Sequence, residues 1–254
     1  MEIVDLSAPI VSSPEGTPDV LRTEIEHSGH EEGAAVIKEL FGVGPDLLRD
    51  GEGWANDFIN RLGTHNSTHV DAPWHYNSKI GGEPARTIEQ LPLEWFVNPG
   101  VVLNFDGRAD GEVIEGPDIE QALERSGHDL QPLDIVLVRT GCDRWVETPE
   151  YMAHGPGVSA AATEWLYEQG VRVMGIDAWG WDRPLWMQAQ EAQEKGEKGI
   201  FWAAHQADLP YSQIERLVNL DRLPPTGFTV SCLPLPIVGG SAAPARVVAL
   251  LDQP

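Results

Sequence analysis

The stretch Gly157-Val158-Ser159-Ala160-Ala161-Ala162-Thr163-Glu164-Trp165-Leu166-Tyr167-Glu168-Gln169-Gly170-Val171-Arg172-Val173-Met174-Gly175-Ile176-Asp177 reads in two halves. Over 157–169, Ala161, Ala162, Trp165 and Leu166 recur at helical spacing, and Gly170 stands where a helix cap would. Residues 171–176 then form an apolar strand that ends in Asp177. Helix followed by buried strand is the unit of an α/β sheet with crossover helices.

Outward from this unit the alternation repeats. Val101-Val102-Leu103-Asn104-Phe105 is a buried strand ending at Asp106-Gly107, and 134–139 is another. Between them Gly116-Pro117-Asp118 opens a helix over 116–125, with Asp118 suited to the positive N-terminal end. Residues 228–233 and 246–251 read as closing strands, and 1–10 as a short strand ending at Pro9. Residues 211–220 look helical up to Leu223-Pro224-Pro225, 87–90 reads as a short helix, and 183–204 is mixed and polar. Residues 11–56, rich in Gly, Pro, Glu and Asp, read as a long loop or lid with a helical stretch over 34–41. The expectation is one α/β domain spanning residues 1–254.

A hydrophobic content of 41% with nine tryptophans in 254 residues describes a folded chain able to bury a core. The formal charge of −23 repels phosphate backbones and anionic membranes, so neither nucleic acid nor membrane is an expected partner. Two cysteines, Cys142 and Cys232, make neither a disulfide framework nor a thiolate zinc site. Met1-Glu2-Ile3-Val4-Asp5 lacks a basic start followed by an apolar run, and no segment approaches the roughly 18 apolar residues of a membrane span. A cytoplasmic protein is expected.

Three of the eight histidines fall in His65-Asn66-Ser67-Thr68-His69-Val70-Asp71-Ala72-Pro73-Trp74-His75. Imidazole and carboxylate suit zinc, manganese and similar divalent ions. On a helix Asp71 would point away from His65 and His69, and Pro73 would break the turn. In an extended chain positions 65, 69, 71 and 75 share one face. At about 3.3 Å per residue, His69 and Asp71 sit about 6.6 Å apart and can converge on one ion. His65 and His69, about 13 Å apart, share it only if the chain turns at Asn66-Ser67. Pro73 bends the chain before His75, which leaves that ring beside the ion. A histidine cluster with no metal is the alternative.

This stretch resembles the signature of the cyclase family of metal-dependent hydrolases, the kynurenine formamidase and isatin hydrolase type, which runs His-x-Gly-Thr-His-x-Asp-x-Pro-x-His. Every motif position matches except the glycine, which is Ser67. The resemblance continues through Asp50-Gly51-Glu52-Gly53-Trp54-Ala55-Asn56-Asp57 and Gly175-Ile176-Asp177-Ala178-Trp179-Gly180-Trp181-Asp182. It extends to Gly227-Phe228-Thr229-Val230-Ser231-Cys232 and the ending from Gly240-Ser241-Ala242 to Arg246. It implies a single α/β domain with a mixed central sheet or barrel-like core flanked by helices. It also implies metal ligation by His65, His69 and Asp71, with His75 as general acid/base. A distant histidine and a Glu or Gln complete the family's site, which maps to His205 with Gln213 or Glu215, although the 205–215 segment is shorter than the family's pattern. One or two divalent ions, Zn or Mn, a small-molecule substrate and a homo-oligomer (dimer or tetramer) are further implications.

The expected reaction is hydrolysis of a C–N bond in an amide, formamide or cyclic amide. Lactone or ester hydrolysis, ring closure on the same site, or a non-catalytic metal-binding protein are the alternatives. Trp74 and Trp179 are candidate substrate walls; Trp54, Trp74 and the Trp179–Trp181 pair could equally be packing. Arg246 could clamp a carboxylate or pair with a surface acid. No Gly-x-Ser-x-Gly elbow supports a serine hydrolase.

Overall fold

Residues that are apolar on both sides need a sheet covered on both faces, and the computed structural model builds one. It describes residues 1–251, which group into two compact units: residues 1–9 with 67–251, and Ile10–Asn66.

The first unit holds a nine-stranded sheet. Its strands are β1 (Glu2–Asp5), β2 (His69–Asp71), β3 (Val97–Asn104), β4 (Ile135–Arg139) and β5 (Val173–Ile176). They continue with β6 (Ser212–Glu215), β7 (Phe228–Ser231), β8 (Ala242–Pro244) and β9 (Val248–Leu251). The order across the sheet is β1-β9-β7-β3-β4-β5-β6-β2-β8. The four central strands β3 to β6 run parallel, and every pair outside them is antiparallel. The mixed sheet that the resemblance implies is therefore present. It curls as a half-barrel, and past the strands the Val218 N–H donates to the Leu6 carbonyl at 3.0 Å.

Numbering the unit-one helices after α1 (His30–Phe41) of the other unit gives α2 (Pro73–Tyr76), α3 (Gly116–Ser126), α4 (Ala160–Glu168) and α5 (Leu185–Lys195). Helices α3, α4 and α5 are the crossovers that let successive central strands run parallel. Alternation along β4 divides the core. Ile135 and Leu137 join Val4, Val70, Phe96 and Ile214 on one face, and Val136 and Val138 join Ile119, Ala162 and Leu166 beneath α3 and α4 on the other. Helix α4 starts where the Ser159 hydroxyl accepts the Ala162 N–H at 3.0 Å, and Gly170 follows it at φ 94°.

Two expectations within this first unit need correction. Residues 211–220 are not a helix: β6 occupies Ser212–Glu215, all four residues buried between β5 and β2. Tyr211, Ile214, Leu217 and Val218 imitate a helical repeat, but Arg216 adopts a left-handed backbone (φ 59°) that resets the alternation and returns Leu217 to the core. The polar 183–204 segment contains α5, which begins after Pro184 and stops at Gly196 in the left-handed conformation (φ 65°).

The second unit replaces the expected long loop with an antiparallel ribbon, Glu24–Ser28 against Asn56–Arg61, and α1. The helical reading of 34–41 lies inside α1. Gly33 and Gly53 let the helix approach the chain at Trp54: a Cβ on Gly33 would sit 1.8 Å from the Trp54 carbonyl oxygen. Trp54 packs edge-on to Phe41 at 6.2 Å. Among the described residues no helix is long and apolar enough to cross a membrane.

Candidate metal centre

Strand β2 is buried between β6 and β8, with His69, Val70 and Asp71 all inaccessible. Its alternation sends Val70 into the core and leaves His69 and Asp71 on the opposite face. The antiparallel register sets Glu215 of β6 directly across from His69. Opposed residues on neighbouring strands have side chains in contact range, so pairing the two strands is what brings the distant glutamate to the motif. His205 arrives from the segment between α5 and β6.

The four side chains alternate imidazole and carboxylate. His69 Nε2 lies 3.3 Å from Asp71 Oδ1 and 3.5 Å from Glu215 Oε2. His205 Nε2 lies 3.4 Å from Glu215 Oε1 and 3.8 Å from Asp71 Oδ2. Donors about 2.0–2.1 Å from a tetrahedral zinc stand about 3.3 Å from one another, which is the spacing seen. Two carboxylates and two imidazoles buried together are costly unless a cation neutralises them, and this donor set suits a divalent ion.

Each imidazole is aimed by its other nitrogen. His69 Nδ1–H donates to the Ser67 carbonyl at 2.9 Å, which turns Nε2 towards the carboxylates. His205 Nδ1–H donates to Asp182 Oδ2 at 2.6 Å, and the same carboxylate accepts the backbone N–H groups of Ala204 (3.0 Å) and His205 (3.1 Å). Glu215 Oε1 accepts the Trp181 N–H at 3.0 Å. Burial disfavours a charge on His205, but the Asp182 and Glu215 carboxylates outweigh it and carry the imidazolium up to about 10. Burial and the Asp71 charge push Glu215 up, and the His205 and His69 rings pull it further down, leaving it below its ordinary value. An ion entering here must displace a proton.

The turn needed before His69 is present. Asn66 N–H closes on the Gly63 carbonyl at 2.9 Å, and Ser67 is left-handed (φ 57°), the conformation the family's glycine takes freely. Ser67 is secured by its hydroxyl, which donates to the Ala8 carbonyl at 2.8 Å. His65 lies on this turn, within the Ile10–Asn66 unit.

His75 stands in the single turn of α2, where Pro73 takes the first helical position. Its ring centroid is 5.8 Å from that of His205 and 4.9 Å from Trp202. Gln213 shares the Glu215 face of β6, and its amide donates to the Tyr211 hydroxyl, which in turn donates to the Ala204 carbonyl at 2.9 Å. Burial raises the Tyr76 and Tyr211 hydroxyls well above their ordinary pKa, so both stay neutral beside the centre. Trp74 is 44% exposed. Trp179 is half-buried, with the Arg216 guanidinium 3.6 Å over its ring and Tyr151 edge-on at 5.9 Å.

The acids of the 177–182 stretch divide. Asp177 ties strand ends together, accepting Thr140 N–H (2.6 Å) and Gly141 N–H (2.8 Å), and Trp181 is a core residue whose indole donates to Thr163. Asp182 instead belongs to the centre. Arg246 pairs with Asp5 in a bidentate fork (2.8 and 2.7 Å), and Cys142 is buried with its thiol raised to about 11. Sequence reasoning missed Trp202 and Gln188 altogether, and no motif marks either.

The family model described as "Putative cyclase" matches residues 4–183. A kynurenine formamidase of Salinibacter ruber is 30% identical over 202 residues, covering 76% of this chain and 79% of the relative. An isatin hydrolase of Roseibium aggregatum is 26% identical, covering 76% and 73%. Among solved structures, isatin hydrolase A from Ralstonia solanacearum superposes with a TM-score of 0.74 at 25% identity, covering 99% of this chain and 92% of the other. The chain belongs to the cyclase family.

Proposed function

We propose that this chain is a metal-dependent hydrolase that cleaves the C–N bond of a small amide, formamide or cyclic amide. The observation that carries the reading is the ring of His69, Asp71, His205 and Glu215 at 3.3–3.8 Å. It is joined by the similarity to relatives named kynurenine formamidase and isatin hydrolase. We assign those four side chains to the metal, with His65 as a further ligand on the strength of the motif. Glu215, whose oxygens approach both imidazoles, is preferred to Gln213, which is placed beside the ligand set. Zinc or manganese suits the mixed nitrogen and oxygen donors.

A divalent ion, when bound, supplies polarisation of the amide carbonyl and lowers the pKa of water towards neutrality. His75 takes the proton from the attacking water and returns it to the departing nitrogen, a role worth roughly 10²–10⁴ in rate. Asp182 and the Ser67 carbonyl hold the ligand rings so that no reorientation is needed during turnover. Trp74 and Trp179 are proposed to contact substrate. A homo-oligomer is part of the reading, checked by light scattering on the eluting peak.

Chelated and reloaded enzyme is assayed against N-formylkynurenine, isatin, cyclic imides and lactones. Metal-dependent turnover of a C–N substrate is expected, and His75→Ala abolishes it while bound metal stays constant. Turnover confined to lactones, or full activity in His75→Ala, refutes the reading.

A further inference from the structure

Trp202 has a left-handed backbone (φ 65°), a conformation that a bulky residue adopts only under constraint. The constraint is visible. Its N–H donates to Gln188 Oε1 at 2.7 Å. Gln188 is 1% exposed and is the buried residue of α5, a position at which such a helix ordinarily places an apolar side chain. Its other end donates to the Arg183 carbonyl, so both halves of the buried amide are used. Arg183 in turn holds Glu191 of α5 at 2.6 Å.

The strained turn delivers the indole to the two histidines. Trp202 lies nearly parallel to His205, with centroids 4.6 Å apart and planes at 21°. It meets His75 edge-on, at 4.9 Å and 88°. The hydrogen bond from Nδ1 to Asp182 holds His205 in its ring plane, and the indole stacked on the ring's face opposes tilting out of that plane. Backbone strain of this kind persists where the surrounding structure over-determines it and is concentrated at functional sites.

We infer that Trp202, clamped in its left-handed turn by Gln188, is a positioning residue that sets the planes of His205 and His75 relative to one another. It acts through those two rings, and its catalytic consequence rests on the hydrolase reading above. Misplacement of a reacting group by about 1 Å costs on the order of 10²-fold in rate, which is the scale at stake.

Three variants of the metal-loaded enzyme test this. Trp202→Gly keeps the left-handed backbone without strain and removes only the indole, Trp202→Phe keeps an aromatic face, and Gln188→Leu removes the clamp. The first readout is kcat against KM. The second is the set of ring-proton NMR shifts of histidines in protein carrying labelled histidine, where a stacked indole imposes a ring-current shift.

In Trp202→Gly kcat is expected to fall about 10- to 100-fold with KM little changed, with two histidine spin systems losing their ring-current shift. Trp202→Phe restores most of both, and Gln188→Leu moves the same two spin systems partway. A Trp202→Gly enzyme with wild-type kcat and unmoved histidine signals overturns the inference, as does equal loss in Trp202→Gly and Trp202→Phe. A wild-type protein inert on every C–N substrate overturns the hydrolase reading instead, and the NMR comparison still decides whether Trp202 positions the rings.

Discussion

Replacing Asp182 with asparagine separates aiming a ligand from being one. The carboxylate has three donors to satisfy: His205 Nδ1–H at 2.6 Å, His205 N–H at 3.1 Å and Ala204 N–H at 3.0 Å. The substituted carboxamide would offer a single accepting oxygen. If that oxygen takes the place of Oδ2, it serves both His205 donors, and the new amide NH₂ then faces the Ala204 N–H, donor against donor. The reverse rotamer sets the NH₂ against the imidazole. Either way the charge-assisted bond becomes at best neutral and at least one buried donor loses its acceptor. A hydrogen bond to a charged group contributes roughly 1.5–3 kcal/mol and a neutral one about 1 kcal/mol, so the loss on the bond that aims His205 is on the order of 1–2 kcal/mol. At about 1.4 kcal/mol per decade, Asp182→Asn weakens metal binding about 5- to 30-fold, within the range seen for partners that orient metal-bound histidines. The assay is competition with a chromophoric chelator at fixed pH, with circular dichroism confirming the fold. Affinity within twofold of wild type would refute the claim that Asp182 orients His205 for an ion.

Three further outcomes follow from the same geometry. In metal-free protein His205 is raised to about 10 from an unfolded value near 6.5, so the stability it contributes is complete below about pH 6.5 and is lost as pH rises towards 10. Chelated protein should therefore lose thermal stability across that window while metal affinity climbs, both readable by scanning calorimetry at stepped pH. Ser67→Ala keeps the left-handed strain and forfeits the hydroxyl bond to Ala8, costing about 1 kcal/mol, whereas Ser67→Gly relieves the strain and leaves the denaturation midpoint close to wild type. Gly33→Ala drives a Cβ to 1.8 Å from the Trp54 carbonyl and should cost more than about 2 kcal/mol, exposing the Ile10–Asn66 unit to limited proteolysis ahead of the remainder.

The parallel centre of the sheet was legible because β4 and β5 are apolar at nearly every position and buried, as cover on both faces requires. The shared face of His69 and Asp71 was legible because an extended chain sets alternate residues on one side, and the turn that the reach arithmetic required at Asn66-Ser67 is there, with Ser67 left-handed. The resemblance named Glu215 alongside Gln213, but not how either reaches the motif. Only the β2–β6 register sets it opposite His69, and a segment misread as a helix hides that register. Helix α5 escaped notice because the side chain it buries is Gln188, which carries no apolar periodicity. Trp202 had no signal at all, since a left-handed tryptophan is imposed by tertiary contacts and written nowhere locally.

The most direct test of metal-dependent C–N hydrolysis is a titration of chelated, tag-free protein with Zn or Mn while opening of a cyclic amide or loss of a formyl group is followed optically. Turnover should rise linearly and break at a whole number of ions per chain, one or two, with Glu215→Ala flattening the curve. Turnover indifferent to chelation and reloading would contradict the account.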